Sequence, residues 1–241
     1  MSIKLYGMPS SNYYNIVKAI LIEKDIVFEE ILIKPNQGAE YLIKSPMGKV
    51  PCMQTDQGFL TETGVMLDYV DALGEGPSLY PEDPFTKAKV QELIRYIELY
   101  IELPGRRLYG DVYFGRPASE EEKGAVKPLL EKGFVALQQI AKFEPYIAGK
   151  ELTYADFYFL FAVPPVTQVC KRTWDWNVRS DMPKIKELQI CWVGENRSNG
   201  CMPTNRECKL NSEAERLNLK PSAALFISAG FFPGSPCSHP F

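Results

Sequence analysis

The chain contains no CxxC pair, and its single histidine, His239, lies close to the end. The six cysteines, at positions 52, 170, 191, 201, 208 and 237, show no repeated metal-ligand spacing. Zinc, a thioredoxin-type dithiol and histidine-based catalysis are therefore not expected, and no metal is assigned. Also missing is any window near the ~18 consecutive apolar residues of a membrane span. The opening Met-Ser-Ile-Lys-Leu-Tyr-Gly lacks the apolar core and small-residue cleavage site of a secretory leader. A cytoplasmic protein with no membrane partner is expected. An excess of either charge is missing too: 27 basic against 30 acidic residues leave a net charge of -3. That balance provides no broad positive field for a phosphate backbone, so nucleic acid is not an expected partner.

What is present is apolar material. With 241 residues, 45% of them hydrophobic, the chain can bury one large or two small packed cores. Ile3 to Tyr6 reads as a strand and Gly7 to Ser11 as a turn. A helix follows, with Ile16, Ala19 and Ile20 on one face. Val27 to Ile33 reads as a second strand, and the polar stretch up to Pro46 and Gly48 has room only for a short helix. Two brief strands flank the turn Asp56-Gln57-Gly58, and Glu62 to Leu73 reads as a helix ended by Gly74. This βαβαββα unit occupies residues 1–76.

From Gly74 to Pro84 the chain is rich in Gly, Pro, Ser and Glu, and from Phe85 to Gln189 the pattern has the period of helices. A helical domain over 84–189 follows from this. Val90, Leu93, Ile94, Ile97 and Ile101 form one stripe. Ser119 and Glu122 fit a capping box ahead of Val126, Leu129, Leu130 and Leu137, a helix that Pro128 can kink. Thr153 and Asp156 fit a second box, with Leu152 and Phe157 as its staple, opening a helix apolar on every side and suited to the centre of a domain. The last 52 residues, 190–241, hold four of the six cysteines and no sustained periodicity.

Three short motifs carry chemistry. Ser10, Ser11 and Asn12 precede the first helix, where small polar groups serve as N-caps. The same groups, with the positive end of the helix, can stabilise an anion. Val50-Pro51 closes a Pro- and Gly-punctuated loop, and by residue type alone an ordinary trans turn fits it. Glu62-Thr63 starts the third helix, where an acid and a hydroxyl act as simple caps or recognise a ligand's charged groups.

In this order and spacing the motifs, together with Leu152-Thr-Tyr-Ala-Asp156, resemble those of the cytosolic glutathione transferases, bacterial type, over residues 1–189. The resemblance implies a thioredoxin-like βαβαββα domain followed by an all-helical one. It further implies glutathione as co-substrate, a small hydrophobic electrophile and a homodimer. It places Ser11 as first choice for the group facing the glutathione sulfur, with Ser10 and Asn12 as reserves; Tyr6 lies inside the strand, too early to serve. Pro51 becomes a cis-proline and Val50 presents its backbone to the cysteinyl part. Thr63 and Glu62 take the γ-glutamyl carboxylate and ammonium, and Lys49 is placed near the glycine carboxylate. The implied reaction is conjugation of the glutathione thiolate to the electrophile. A glutathione-dependent reductase or isomerase is the alternative among enzymes, and a non-catalytic regulatory or scaffold protein is the alternative outside them. The segment after Met182-Pro-Lys-Ile-Lys-Glu-Leu188 departs from the family pattern, as a shifted reading frame or foreign tail would.

Overall fold

The computed structural model describes residues 2–181, which lie within one compact unit, Met1–Leu188. Residues 182–189, the end of the expected helical domain, and the segment 190–241 lie outside the described residues. The element order begins β1 Ile3–Gly7, α1 Asn12–Glu23, β2 Phe28–Leu32, α2 Ala39–Leu42, β3 Cys52–Thr55, β4 Gly58–Leu60 and α3 Thr63–Ala72. The βαβαββα order read from the sequence is the order found.

The sheet has the order β2-β1-β3-β4, with β1 parallel to β2 and antiparallel to β3, and β3 antiparallel to β4. Strand alternation assigns the two faces. Ile3 and Leu5 are buried on the α1 side, and Gly7 continues that face. A Cβ at Gly7 would come within 2.2 Å of the Tyr14 ring, so only glycine lets the start of α1 pack this closely on β1. On the opposite face Tyr41 of α2 covers Tyr6 and Cys52. The second strand is shorter than the run from Val27 to Ile33, because Val27 is 89% exposed and outside the ladder.

α1 forms because Ser11 caps it and Ile16, Val17, Ile20 and Leu21 recur at helical spacing, all fully buried. Its far end is anchored by Lys24, whose ammonium donates to the Pro77 carbonyl at 2.9 Å. Lys18 is buried as well, and it pairs with Glu30 of β2 at 2.8 Å.

The remaining elements among the described residues are helical: α4 Pro84–Tyr96, a π-helical turn Ile97–Glu102, α5 Leu103–Arg106, α6 Tyr109–Phe114, α7 Glu120–Ile140, α8 Tyr154–Trp174 and α9 Val178–Asp181. The stripe from Val90 to Ile101 is buried, but from Ile97 its backbone winds as the π turn. Helical periodicity is also broken over residues 141–153. Leu129, expected inside, is 46% exposed: the buried face of α7 runs through Val126, Leu130, Gly133, Phe134 and Leu137, one position out of step with it. Only half of the first capping box is made. Ser119 Oγ accepts from the Glu122 amide at 3.1 Å, while the Glu122 carboxylate turns to Arg107. The second box is complete, with Asp156 accepting from the Thr153 amide at 2.8 Å and from the Ile147 amide at 2.8 Å. α8 is the central helix, buried from Tyr154 to Phe159 and packed against α1, α4 and the π turn.

Candidate glutathione site

Sheet register decides where the three motifs fall. The β1–β3 ladder ends on Tyr6 facing Cys52, so the chain leaves β1 where it enters β3. In the β3–β4 ladder Met53 faces Leu60, so β4 also ends at the side where β3 begins. The turn after β1, the Val50-Pro51 loop and the start of α3 therefore lie side by side at one end of the sheet. The amino ends of α1 and α3 open at this same end, and neither carries an acidic residue in its first turn. Their positive ends are available to an anion.

Ser11 caps α1, its Oγ accepting from the Tyr14 amide at 3.3 Å. That bond uses an oxygen lone pair, so the hydroxyl proton is left for another acceptor. Ser10 is exposed, on the turn. Asn12 is differently engaged: its amide nitrogen donates to Glu102 at 3.0 Å, and its amide oxygen accepts from Arg106 at 2.9 Å. Both functional atoms of Asn12 thus face the helical part of the chain. Tyr13 is committed as well, donating to Glu102 at 2.9 Å. Burial first, then the Glu102 charge, push its phenol well above the ordinary range. Tyr6 donates to Gln54 from within β1, at 2.7 Å.

The Val50-Pro51 peptide is cis. Lys49 is exposed, and its carbonyl accepts from the Tyr41 and Ser45 hydroxyls, each at 2.9 Å, the first of which ties the loop to α2. Thr63 is buried at the first position of α3. Glu62 is exposed and holds φ 66, ψ 120, a backbone region costly for a residue with a Cβ. Strain of this kind costs on the order of 1–3 kcal/mol and concentrates where side chains are held for a ligand. Both described cysteines, Cys52 and Cys170, are buried, and burial pushes their thiols up to about 11 and about 12. Neither provides a thiolate near neutral pH.

Glu102, Arg106 and Tyr13 were not singled out from the sequence. Glu102 and Arg106 stand four apart, a spacing that reads as an ordinary solvent-facing helix pair. The fully buried state of the Glu102 carboxylate has no local signature.

Residues 5–78 match the family model for the glutathione S-transferase N-terminal domain. A glutathione S-transferase of Pseudomonas putida is 40% identical over 215 residues, 89% of this chain and 97% of the relative. The chain belongs to the glutathione S-transferase family. Glutathione S-transferase omega-1 of Mus musculus is a more distant relative, 24% identical across 77% of this chain and 70% of its own. The fold of the family is also seen in glutathione transferase E6 of Drosophila melanogaster, with a TM-score of 0.67, 20% identity and coverage of 95% and 98% of the two chains. The Pseudomonas putida alignment takes in 215 residues, so it runs beyond the 189 that carry the sequence resemblance and into the C-terminal segment.

Proposed function

We propose that this chain is a glutathione transferase that binds glutathione at the shared end of the sheet and transfers its thiolate to a small apolar electrophile. The convergence of the Ser11 turn, Val50-Pro51 and Glu62-Thr63 at the amino ends of two helices carries the reading. A free thiol with a pKa near 8.5 is only a few per cent thiolate at neutral pH, and each unit of depression is worth about 1.4 kcal/mol. The Ser11 hydroxyl proton and the end of α1 both favour the sulfur anion. The end of α3 with Thr63 suits the γ-glutamyl carboxylate, and Glu62 suits the ammonium beside it. In this reading the backbone of Val50 pairs with the peptide like an added strand, and Lys49 meets the glycine carboxylate.

Ser11 stands ahead of Asn12 here because the Asn12 amide is already engaged at both of its polar atoms. Ser10 stays second, since it is on the same turn and exposed. The reading includes a glutathione-binding part over 1–76, a helical part over 84–189, a homodimer and a cytoplasmic location. Glutathione titration of the parent beside Ser11→Ala and Glu62→Ala, followed by turnover with a chloronitrobenzene electrophile, tests it. Saturable binding, weakened in Glu62→Ala, and thioether formation, depressed in Ser11→Ala, are expected. No binding by the parent would sink the reading and favour a scaffold role.

A further inference from the structure

Glu102 is the most deeply buried carboxylate among the described residues, fully covered at the end of the π turn. Four side-chain bonds converge on it: from Asn12 at 3.0 Å, from Tyr13 at 2.9 Å, from Arg106 Nε at 3.1 Å, and from an Arg106 terminal nitrogen. The same Arg106 nitrogen donates to the Asn12 oxygen at 2.9 Å, closing a ring of bonds among Asn12, Glu102 and Arg106. Two of the donors come from the first turn of α1, ninety residues away in sequence, and sit next to Ser11. Ionic groups are costly to bury unless paired and fully bonded, and here all the partners are supplied.

The π turn is part of the device. π-helical turns are rare within helices and recur at functional sites. This one ends on Glu102, and its Tyr100 carbonyl is pressed against α7, where a Cβ on Gly133 would come within 2.2 Å of it. The remaining charged or titratable groups facing the cluster are Tyr109 from α6, its ring 5.3 Å from the Arg106 guanidinium, Glu98 from the π turn, and Tyr158 from α8 against the Tyr13 ring.

We propose that Glu102 and Arg106 are positioning residues for the thiol chemistry: they clamp Asn12, fix the turn that carries Ser11, and balance the charge beside the glutathione sulfur. The proposal rests on glutathione binding at the Ser11 turn. An anion and a cation held together there leave the sulfur's surroundings close to neutral, so removing either one moves the thiol's ionisation, in opposite directions for the two.

The test measures ultraviolet thiolate absorbance of bound glutathione against pH in the full chain, for the parent, Glu102→Gln, Arg106→Gln and Arg106→Lys. Glu102→Gln is expected to lower the apparent thiol pKa and Arg106→Gln to raise it, each by about one unit. Arg106→Lys, which restores the charge, is expected to return towards the parent. If Arg106→Gln loses its helical circular dichroism, the downward shift in Glu102→Gln and the position of Arg106→Lys decide. An unchanged thiol pKa across the folded variants, with only affinity or melting temperature altered, overturns the proposal while leaving the glutathione reading intact. Absence of binding by the parent removes the reading and the proposal together.

Discussion

The proposed thiolate contact gives Ser11 a second role at the atom that caps α1, and the two can be separated because the cap uses a lone pair while the thiolate would use the proton. Replacing an N-cap serine by glycine costs only a few tenths of a kcal/mol, whereas alanine costs about 1. Ser11→Gly should therefore reduce kcat/KM about 100-fold, the scale of losing one anion-stabilising donor, with a melting temperature near the parent's. Steady-state kinetics beside a thermal melt check this, and a rate within a factor of about two of the parent would assign Ser11 to capping alone. Glu62 makes the reverse trade. Glu62→Gly relieves the φ 66 backbone and should raise the melting temperature, while removal of a charged hydrogen bond should weaken glutathione binding about 10-fold or more. Calorimetric titration and a melt on the same sample read both effects. The residue types at 11 and 62 were legible in the sequence because caps and charged ligand contacts use the same small polar groups. The engagement of Asn12 was not, since its partners come from a distant helix.

Among the elements, α8 shows a local pattern and its tertiary setting agreeing. Thr153 and Asp156 were legible as a capping box because that signal spans four residues, and the apolar run behind them marked a central helix. Burial raises the Asp156 carboxyl to about 6, outweighing the hydrogen bonds from Ile147 and Thr153 that lower it. Because the folded pKa lies above the ordinary 3.8, this group's contribution is fully present below 3.8 and is lost as pH rises through about 6. The stability margin of the parent over Asp156→Asn should accordingly be larger at pH ~4 than at pH ~7, as urea midpoints would show. A margin that grows with pH would mean that the hydrogen bonds win. Gly133 of α7 carries the opposite lesson. Alanine is the better helix former by about 1 kcal/mol, yet Gly133→Ala should destabilise by about 1–3 kcal/mol, because its Cβ meets the Tyr100 carbonyl. Close approach of this kind, like the π turn it packs on, depends on the partner helix and leaves no period in the sequence.

For the whole molecule, the βαβαββα order followed by helices could be read from periodicity and turn residues, and the sheet then brought separate motifs to one end. Register did what no single motif could: each of Ser10-Ser11-Asn12, Val50-Pro51 and Glu62-Thr63 has a bland local explanation, and their position at one end of three paired strands does not. Contacts between the sheet end and the helical part were illegible, because Glu102 and Arg106 have the spacing of an ordinary surface pair. This end of the sheet is proposed to bind glutathione and ionise its thiol. The most direct measurement is the ultraviolet thiolate absorbance that develops when glutathione is titrated into the purified chain at neutral pH. A saturable thiolate signal is expected, with the thiol pKa at least about one unit below its free value near 8.5, and a much smaller signal in Ser11→Gly. Saturable binding with the thiol still protonated, or no binding at all, would contradict it.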